Sequence, residues 1–426
     1  MKMNILSFLK SLYRQYKNIA KNSFFLSVVE GIKLILPFIA MPYIIHVCGV
    51  DNYGRIIFAQ AIMAYFTMMV NFGLNIVTVK DIADNLDSPQ KISQIVSSFL
   101  ALRLILILIG LAVLLMLILF SSILRPYRLL LLFCYIAVIA EGLLVTAFFQ
   151  AVEKMYNITI VQIFSVVFYV STLFILVRKE ADFIFVPLLQ STGLLLSAVL
   201  GIVLMCKKYR VRLSMPRMIT VWQLLKRSST FAISRLSVSI NANLAKIFTG
   251  LVLSMQEVAL IDLAQKISDA ALLPVSILDQ AIYPHNAKNQ NRIFVTKTFW
   301  IMFALAICCA GIMFAGTPIA VKILGNGKLD AAVPLAYCLC IKVIINVLLH
   351  YTGTPMLVAF GYPAPFNLSV IVSAIMMTLS YFVLYMLDKL SLGMFIVLLI
   401  AGDAIILSYR LFYCLKYKLL LFKLRE

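Results

Sequence analysis

Charged side chains occur inside long apolar stretches of this sequence, where they are costly and can do chemistry. Six are basic and six are acidic: Lys33, Arg103, Arg235, Lys246, Lys266 and Lys342, and Glu30, Glu141, Asp262, Asp269, Asp279 and Asp403. Each would cost about 2.5–3.5 kcal/mol at the centre of a membrane helix. We therefore expect these groups to face a bundle interior or a wet cavity, where they bind a polar ligand or neutralise one another.

The stretch ISRLSVSINANLAK (233–246) carries two of the cations, Arg235 and Lys246, eleven residues apart. At 100° per helical residue, eleven residues return the second cation to within about 20° of the first. Ser239 and Ala242 share that face. The spacing predicts one helix with a polar, cationic stripe about three turns long. Such a stripe suits an anionic head group, because arginine can donate two hydrogen bonds to it at once.

Ion pairing is the alternative for part of this set. Glu30 and Lys33 are three residues apart, and Asp262, Lys266 and Asp269 follow one another at four and three, spacings that place side chains on one helix face. The remaining cations have no partner on their own helix, but carboxylates of other helices could neutralise them; these carboxylates are Glu141, Asp279 and Asp403.

We predict two groups of site residues from these patterns. The first would bind an anionic substrate: Lys33, Arg103, Arg235, Lys246 and Lys342. The second would serve ion coupling or ion pairing: Glu30, Glu141, Lys266, Asp269 and Asp403.

The elements that must position these residues are membrane helices. Hydrophobic residues make up 63% of the 426 residues and charged residues 13%, and the mean hydropathy is +1.02. Soluble domains are far less apolar. Apolar runs of about 20 residues, the length of a membrane-spanning helix, predict an all-α integral membrane protein with twelve spans, at about 23–45, 56–79, 95–119, 129–149, 156–177, 183–205, 228–249, 258–282, 298–320, 331–352, 367–387 and 392–409.

The net charge of +20 could indicate nucleic-acid binding, but the basic residues lie mainly between the spans. With twelve spans, 23 basic residues fall on the side of the termini and 8 on the opposite side. This bias follows the positive-inside rule and predicts cytoplasmic termini. If residues 206–257 were one loop, the bias would be weaker. We predict no nucleic-acid partner and no removable signal peptide.

A weak internal repeat supports this topology. A shift of 205 residues places Ser23 over Ser228 and FAQAI (58–62) over LAQKI (263–267). Repeats of an even number of spans are parallel, an arrangement that transporters use around a substrate path. We predict an N-terminal six-helix bundle (1–205), a basic cytoplasmic linker (206–227), and a C-terminal six-helix bundle with a cytoplasmic tail (228–426), the two bundles enclosing a central cavity.

Motifs of catalysis do not occur in the sequence. The segment GNGKLD (325–330) lacks the second half of a phosphate-binding loop, and HExxH, GxSxG and CxxC are absent. The eight cysteines lack metal-site spacing, and the three histidines are scattered. We predict no enzyme activity, no metal site and no cofactor. A membrane enzyme of polysaccharide assembly would instead show clustered catalytic residues in a large outer loop.

Several segments resemble the polysaccharide-transport branch of the MOP superfamily, the O-antigen (Wzx-type) flippases. They are CGVDNYGRIIFAQAIMAYF (48–66), NFGLN (71–75) and LAQKI…LDQAIYPHNAK (263–288). The residues that match the recurring pattern are Gly49, Tyr53-Gly54, Ala59-Gln60, Asn71-Phe72-Gly73, Pro284 and Lys288. After NFGLN this chain has IVTVKDIA, where the branch often has Thr-Ala-Thr-Arg followed by an acid.

The resemblance implies a flippase that moves an undecaprenyl-diphosphate-linked oligosaccharide, such as an O-antigen repeat unit, from the cytoplasmic to the periplasmic leaflet by alternating access. It implies a bacterial inner membrane protein involved in lipopolysaccharide biosynthesis, whose partners are the lipid-linked substrate, membrane lipids, polysaccharide polymerase and chain-length proteins. The alternative is a cation-coupled multidrug exporter of the sister MATE-type branch, which would need an acidic, aromatic lumen.

Overall fold

A computed structural model describes residue 31 and residues 35–420, and this part of the chain is helical, with no β-strand. Its helices, numbered in chain order, are α1 Ile35–Cys48, α2 Val50–Asn71, α3 Leu74–Ala83, α4 Pro89–Phe120, α5 Arg128–Leu143, α6 Thr146–Ala151, α7 Met155–Leu176, α8 Phe185–Lys208, α9 Met218–Val252, α10 Met255–Ala271, α11 Leu273–Asn289, α12 Arg292–Leu324, α13 Ala332–Tyr351, α14 Pro363–Met386 and α15 Leu392–Lys416. A π-helical segment, Thr352–Val358, continues α13.

Many of these helices are long and apolar enough to cross a membrane. Within the described residues, nine stretches qualify by length and hydropathy, and α1 is a shorter apolar helix. The protein is thus a multi-pass membrane protein, as predicted. The count of twelve spans and the two six-helix bundles stay predictions. A helix does cover 233–246, because the whole stretch lies within α9.

Four of the predicted spans are interrupted or extended in the structure. The second is divided between α2 and α3 at Phe72 and Gly73, both with positive φ. The fourth ends at Leu143, because Leu144 is extended. The eighth is divided between α10 and α11, where Pro274 lies in the first turn of α11 and its ring cannot continue a helix. The tenth extends into the π-helical segment.

The predicted linker 206–227 is only partly a loop. Residues 210–217 have no regular structure, but α9 begins at Met218, ten residues before the predicted span. Because a helix of 35 residues is about 52 Å long, α9 exceeds the hydrocarbon thickness of about 30 Å. Its first turns are therefore expected to lie outside the hydrocarbon.

Helix starts recur along the chain at nearly the offset found in the sequence. Five helices of the first half pair in order with five of the second half: α2 with α10, α4 with α12, α5 with α13, α7 with α14 and α8 with α15. The first residues of each pair are 203 to 208 residues apart. A matching order of helix lengths and breaks supports the predicted repeat, which rested on two short segments.

Grouped by packing, the chain forms two compact units. Among the described residues, the first contains Phe66–Arg178, Ile184–Ala232 and the residues up to Ala40; the second contains Met41–Tyr65, Lys179–Phe183 and the residues from Ile233 onward. Residues 41–65 thus pack with the later part of the chain. The predicted boundary at 206–227 stays a prediction.

In the first unit, hydroxyl groups join neighbouring helices. Tyr135 donates a hydrogen bond to the carbonyl of Ile107 (2.6 Å), and Ser197 donates one to the carbonyl of Val161 (2.6 Å). In the second unit, Tyr351 donates to the carbonyl of Val295 (3.0 Å) and Ser373 to that of Gly402 (2.8 Å). Helix carbonyls accept a second hydrogen bond in this way, which keeps polar atoms satisfied in an apolar interior.

Candidate functional site

Two lysines share one buried aspartate in the second unit, and we call Tyr53, Lys246, Asp262 and Lys266 the lysine–aspartate cluster. Lys246 Nζ lies 2.7 Å from Asp262 Oδ1, and Lys266 Nζ lies 2.7 Å from Asp262 Oδ2. Tyr53 Oη donates to Oδ2 of the same carboxylate (2.5 Å) and accepts from Lys266 Nζ (2.6 Å). These bonds tie three side chains to one carboxylate.

The cluster carries an excess of positive charge near a surface. The side chain of Asp262 is 2% exposed, whereas those of Lys246 and Lys266 are 17% and 23% exposed. Two ammonium groups against one carboxylate leave about one net positive charge within the cluster, and the exposed Asp269 carboxylate, outside the cluster, attracts Lys266. Since the lysines have the exposed positions, this charge is available to an anion that approaches from the lysine side.

Close helix approach in the second unit is what brings Tyr53 to Asp262. Gly54 lies so near the backbone of Met255 that a Cβ at this position would overlap the Met255 carbonyl, and a Cβ at Gly250 would overlap the ring of Phe58. Glycine at these two positions therefore lets α2, α9 and α10 meet. The Ser254–Glu257 capping box then begins α10, which satisfies its first backbone N–H groups.

A second ion pair of this unit joins α13 and α15. Lys342 Nζ lies 3.8 Å from Asp403 Oδ2, and the Asn346 side-chain amide donates to the same oxygen (2.6 Å). The predicted in-helix pair Asp262–Lys266 is confirmed, and Asp403 is a partner from another helix, as the alternative proposed. Both lysines that lacked an in-helix partner, Lys246 and Lys342, pair with an aspartate elsewhere.

Arg103 lies at the centre of the first unit and is 1% exposed. Its Nη1 donates to the carbonyls of Glu141, Gly142 and Leu144 (3.3, 3.2 and 3.0 Å). Its Nη2 donates to the side-chain oxygens of Asn71 and Asn75 (2.7 and 3.0 Å), and the guanidinium lies 4.2 Å from the centre of the Phe99 ring. We call this arrangement the Arg103 clamp.

The Arg103 clamp explains why α5 can end inside an apolar unit. The last carbonyls of a helix have no partner within it, and a cation there also complements the helix dipole. Arg103 supplies both, from another helix. The predicted substrate role of Arg103 stays a prediction, and its burial and its five neutral acceptors favour a structural role.

Arg410 performs the same task in the second unit. It is 3% exposed, donates to the carbonyl of Leu349 (2.7 Å) and to Ser369 Oγ (3.0 Å), and lies 4.4 Å from the centre of the Phe366 ring. Leu144, one of the three residues whose carbonyls accept from Arg103, and Leu349, whose carbonyl accepts from Arg410, are separated by 205 residues, the offset of the sequence repeat. The two arginines come from helices that are not equivalent in that repeat.

The remaining predicted residues fall into three groups. Glu30 and Lys33 lie outside the described residues, and so does the side chain of Arg235, although its backbone belongs to α9. Asp269 is exposed. The backbone carbonyl of Glu141 belongs to the Arg103 clamp, and its carboxylate lies close enough to the guanidinium to attract it.

Asp279 differs from the other acids of the second unit. It is 8% exposed, and among the described residues its Oδ1 has no hydrogen-bond partner. Neutralisation of this carboxylate by another helix stays a prediction. Sequence reasoning missed Arg410, because it lies one residue after the predicted end of the last span, and Tyr53, because a tyrosine hydroxyl has no charge to reveal it.

The sequence pattern of one family covers most of these elements. The family described as polysaccharide biosynthesis protein matches residues 19–290, more than half of the chain. The chain belongs to this family. The match includes the lysine–aspartate cluster and the Arg103 clamp, and the predicted resemblance to the polysaccharide-transport branch of the MOP superfamily is confirmed.

Two relatives match long stretches of this chain at low sequence identity. A "Putative O-antigen transporter" of Escherichia coli (strain K12) is 24% identical over 410 residues, which cover 95% of this chain and 98% of the relative. A protein of the same description from Shigella dysenteriae is 26% identical over 316 residues, covering 72% and 78% of the two chains. The similarity thus extends over nearly the full length of the Escherichia coli relative.

Comparison with solved structures identifies the fold of this chain. An inward-facing MATE multidrug resistance transporter of the MOP superfamily matches with a TM-score of 0.65 over 90% of this chain and 98% of its own, at 12% identity. An outward-facing form matches with 0.62 over 95% of each chain, also at 12%. The protein therefore has a MATE-like transporter fold.

The structure shows what several residues of the family motifs contact. Tyr53 holds Asp262 and Lys266, and Gly54 permits the contact with Met255. Asn71 accepts a hydrogen bond from Arg103, and the two residues after it form the break between α2 and α3. Much of the resemblance therefore consists of residues that hold the two charged centres in place.

Proposed function

We propose that this protein is a flippase that moves an undecaprenyl-diphosphate-linked oligosaccharide, such as an O-antigen repeat unit, from the cytoplasmic to the periplasmic leaflet of the bacterial inner membrane. Family membership and the two O-antigen transporter relatives support a polysaccharide precursor as the cargo. The MATE-like fold supports transport without catalysis. Alternating access, cytoplasmic termini and contact with polymerase and chain-length proteins belong to the same proposal.

The lysine–aspartate cluster is the observation that carries this proposal. A diphosphate needs cations that are desolvated enough to bind strongly and exposed enough to be reached. Lys246 and Lys266 meet both conditions, since each is more than three-quarters buried and Asp262 neutralises only one of them. We place the diphosphate next to Lys246, and Arg235 remains a candidate through its spacing in the sequence alone.

The other predicted residues have graded roles in this proposal. Lys342 is held by Asp403 at 3.8 Å, a distance that leaves its ammonium group able to reorient toward an anion. Lys33 remains a candidate through its position in the sequence alone.

The membrane potential can drive the proposed direction of transport. Export of about two negative charges against a negative interior would gain roughly 2.3 kcal/mol per charge per 100 mV.

The decisive experiment is Lys246→Gln, tested by complementation of a strain that lacks its own flippase. The substitution removes the excess charge but leaves Asp262 paired with Lys266 and hydrogen-bonded to Tyr53. We expect surface polysaccharide to be lost while the amount of membrane-inserted protein stays normal. Lys246→Arg is the matched control and should retain most of the polysaccharide, because it keeps the charge.

Normal polysaccharide in the Lys246→Gln strain would overturn the assignment of the diphosphate to this cluster. The alternative, a cation-coupled multidrug exporter, is suggested by the solved structures, because those with a similar fold are MATE multidrug transporters. An exporter of cationic drugs is hard to reconcile with surplus positive charge in the cluster. Drug resistance conferred by the wild-type gene, without rescue of polysaccharide, would favour the exporter.

A further inference from the structure

The segment from Tyr209 to Arg227, between α8 and the first turns of α9, carries many cations and exposed apolar side chains. From Cys206 to Arg227 there are seven basic residues and no acidic residue. Among the described side chains of this segment, five large apolar groups are exposed: Leu213, Met215, Met218, Ile219 and Trp222, at 47%, 100%, 71%, 59% and 63%.

This surface is held in place by the first unit. The backbone N–H groups of Arg212 and Ser214 donate to the hydroxyls of Ser93 and Ser97 on α4, both at 3.1 Å. The hydroxyls are one helical turn apart, and alternate N–H groups of an extended chain have a similar spacing. A loop of this composition could have been free, but here its backbone lies along α4.

The buried side of the segment is apolar as well. Val211, Val221 and Leu224 are 6%, 4% and 3% exposed. The segment thus has one apolar side against the first unit and a second apolar side that nothing in the described chain covers. Arg227 forms a bidentate pair with Asp81 at the end of the segment, which fixes the first turns of α9.

We propose that Leu213, Met215, Met218, Ile219 and Trp222 form a docking surface for anionic phospholipid at the membrane interface. Apolar side chains, tryptophan among them, together with flanking cations are characteristic of interfacial segments. Each cation near an anionic bilayer surface adds to the attraction. The exposed basic residues that complement the lipid charge are Lys207, Lys208, Arg210, Arg212, Arg217 and Lys226.

The length and charge of α9 support this depth. As the predicted seventh span, α9 has 35 residues and is about 22 Å longer than the hydrocarbon is thick, and the exposed Lys226 and Arg227 near its start favour this end as the one at the head groups. Neither a purely hydrocarbon-facing helix nor a water-facing loop combines exposed Trp222 and Met218 with six exposed cations. The lipid head-group region satisfies both kinds of side chain at once.

Tryptophan fluorescence can test this proposal, because the chain has only two tryptophans, Trp222 and Trp300. Trp300→Phe leaves Trp222 as the single reporter. The variant is reconstituted into phosphatidylcholine bilayers with or without phosphatidylglycerol, using lipids brominated near the head group or near the chain end. We expect quenching of Trp222 mainly by the shallow bromines, and more strongly when phosphatidylglycerol is present.

The matched control is Trp222→Phe, which reports Trp300 on α12, 51% exposed; its quenching should not depend on lipid charge. A second variant adds Arg210→Gln, Arg212→Gln and Arg217→Gln to Trp300→Phe; with three of the six cations removed, its quenching should depend less on phosphatidylglycerol, while its melting temperature stays unchanged. Trp222 emission typical of water and without quenching in both bilayers would overturn the docking surface. Equal quenching in both bilayers would overturn the preference for anionic lipid.

Discussion

The Arg103 clamp and the lysine–aspartate cluster bury positive charge in two different ways. Arg103 is 1% exposed, and it donates hydrogen bonds to neutral acceptors, three helix-end carbonyls and two asparagine oxygens. The lysines are 17% and 23% exposed and are held by one carboxylate. This contrast indicates that the acceptor set, more than the presence of a cation in a span, separates a structural cation from one that can still bind a ligand.

Neutral acceptors suit arginine for a geometric reason. Its planar guanidinium presents several N–H groups in fixed directions, so one side chain can satisfy acceptors from α2, α3 and α5 together. Lysine presents a compact charge on a flexible stem, which can exchange one oxygen for another. A substrate phosphate can therefore compete for Lys246 more readily than for Arg103.

The largest effect that we expect comes from Arg103→Ala. The substitution removes the donor to the carbonyls of Gly142 and Leu144 and to two asparagine oxygens, whereas the Glu141 carbonyl keeps the Leu144 N–H. Each buried group left unsatisfied costs about 1–3 kcal/mol. We expect a strong loss of folded protein and a melting temperature lower by many degrees in detergent. The measurement is fluorescence-detected size exclusion with a temperature ramp.

Arg410→Ala is the matched variant in the second unit and should lose less stability, because Arg410 donates to two acceptors rather than five, and one of them, the Leu349 carbonyl, still accepts from the Thr352 hydroxyl. An Arg103→Ala protein that melts like the wild type but no longer supports surface polysaccharide would contradict the structural role. It would return Arg103 to the group of substrate-binding residues.

A smaller but still large effect is expected for Asp262→Asn. The change removes the one carboxylate between Lys246 and Lys266 and leaves two ammonium groups close together. Breaking a buried ion pair costs about 3–5 kcal/mol, and the partial exposure of the lysines lowers this value. We expect destabilisation that Lys246→Gln partly reverses in the double variant, measured as a double-mutant cycle of melting temperatures.

Additive effects in that cycle would be incompatible with a shared carboxylate. A further consequence concerns function, since the double variant Lys246→Gln, Asp262→Asn keeps one positive charge on Lys266. If net charge alone determines binding, it should support more polysaccharide than Lys246→Gln. If Lys246 itself contacts the diphosphate, both variants should fail.

The sequence alone predicted those features of the lysine–aspartate cluster that depend on spacing within one helix. Eleven-residue spacing placed Arg235 and Lys246 on one helix, and four-residue spacing identified Asp262 and Lys266 as partners. Local periodicity determines such relations, so they can be calculated from positions in the chain. The apolar runs predicted the membrane class for the same reason, and nine described stretches meet the criteria for a span.

Other relations depend on which helices meet, and spacing does not encode them. Lys246 finds its carboxylate sixteen residues away on the next helix, and Arg103 finds helix-end carbonyls 38 to 41 residues away. The early end of α5 was not predicted, although Glu141 and Gly142 directly precede it in the apolar run. An unsatisfied helix end needs a donor, and only the tertiary structure shows that Arg103 provides it.

The smallest effect should come from the Arg227–Asp81 pair, in which an arginine binds an aspartate at the surface. Its geometry is bidentate, with Nη1–Oδ1 at 2.9 Å and Nη2–Oδ2 at 2.5 Å, and the Arg227 side chain is 55% exposed. Exposed pairs contribute about 0.2–1 kcal/mol and are screened by salt. Asp81→Asn should therefore lower the melting temperature only slightly, and less at high salt.

Arg227→Gln is the matched variant for this surface pair and should behave like Asp81→Asn, with no further loss in the double variant. A loss as large as that of Asp262→Asn would contradict the comparison. It would mean that the pair is desolvated in the bilayer, for instance because lipid head groups cover it. The salt dependence separates these two cases, because a covered pair responds weakly to ionic strength and an exposed pair responds strongly.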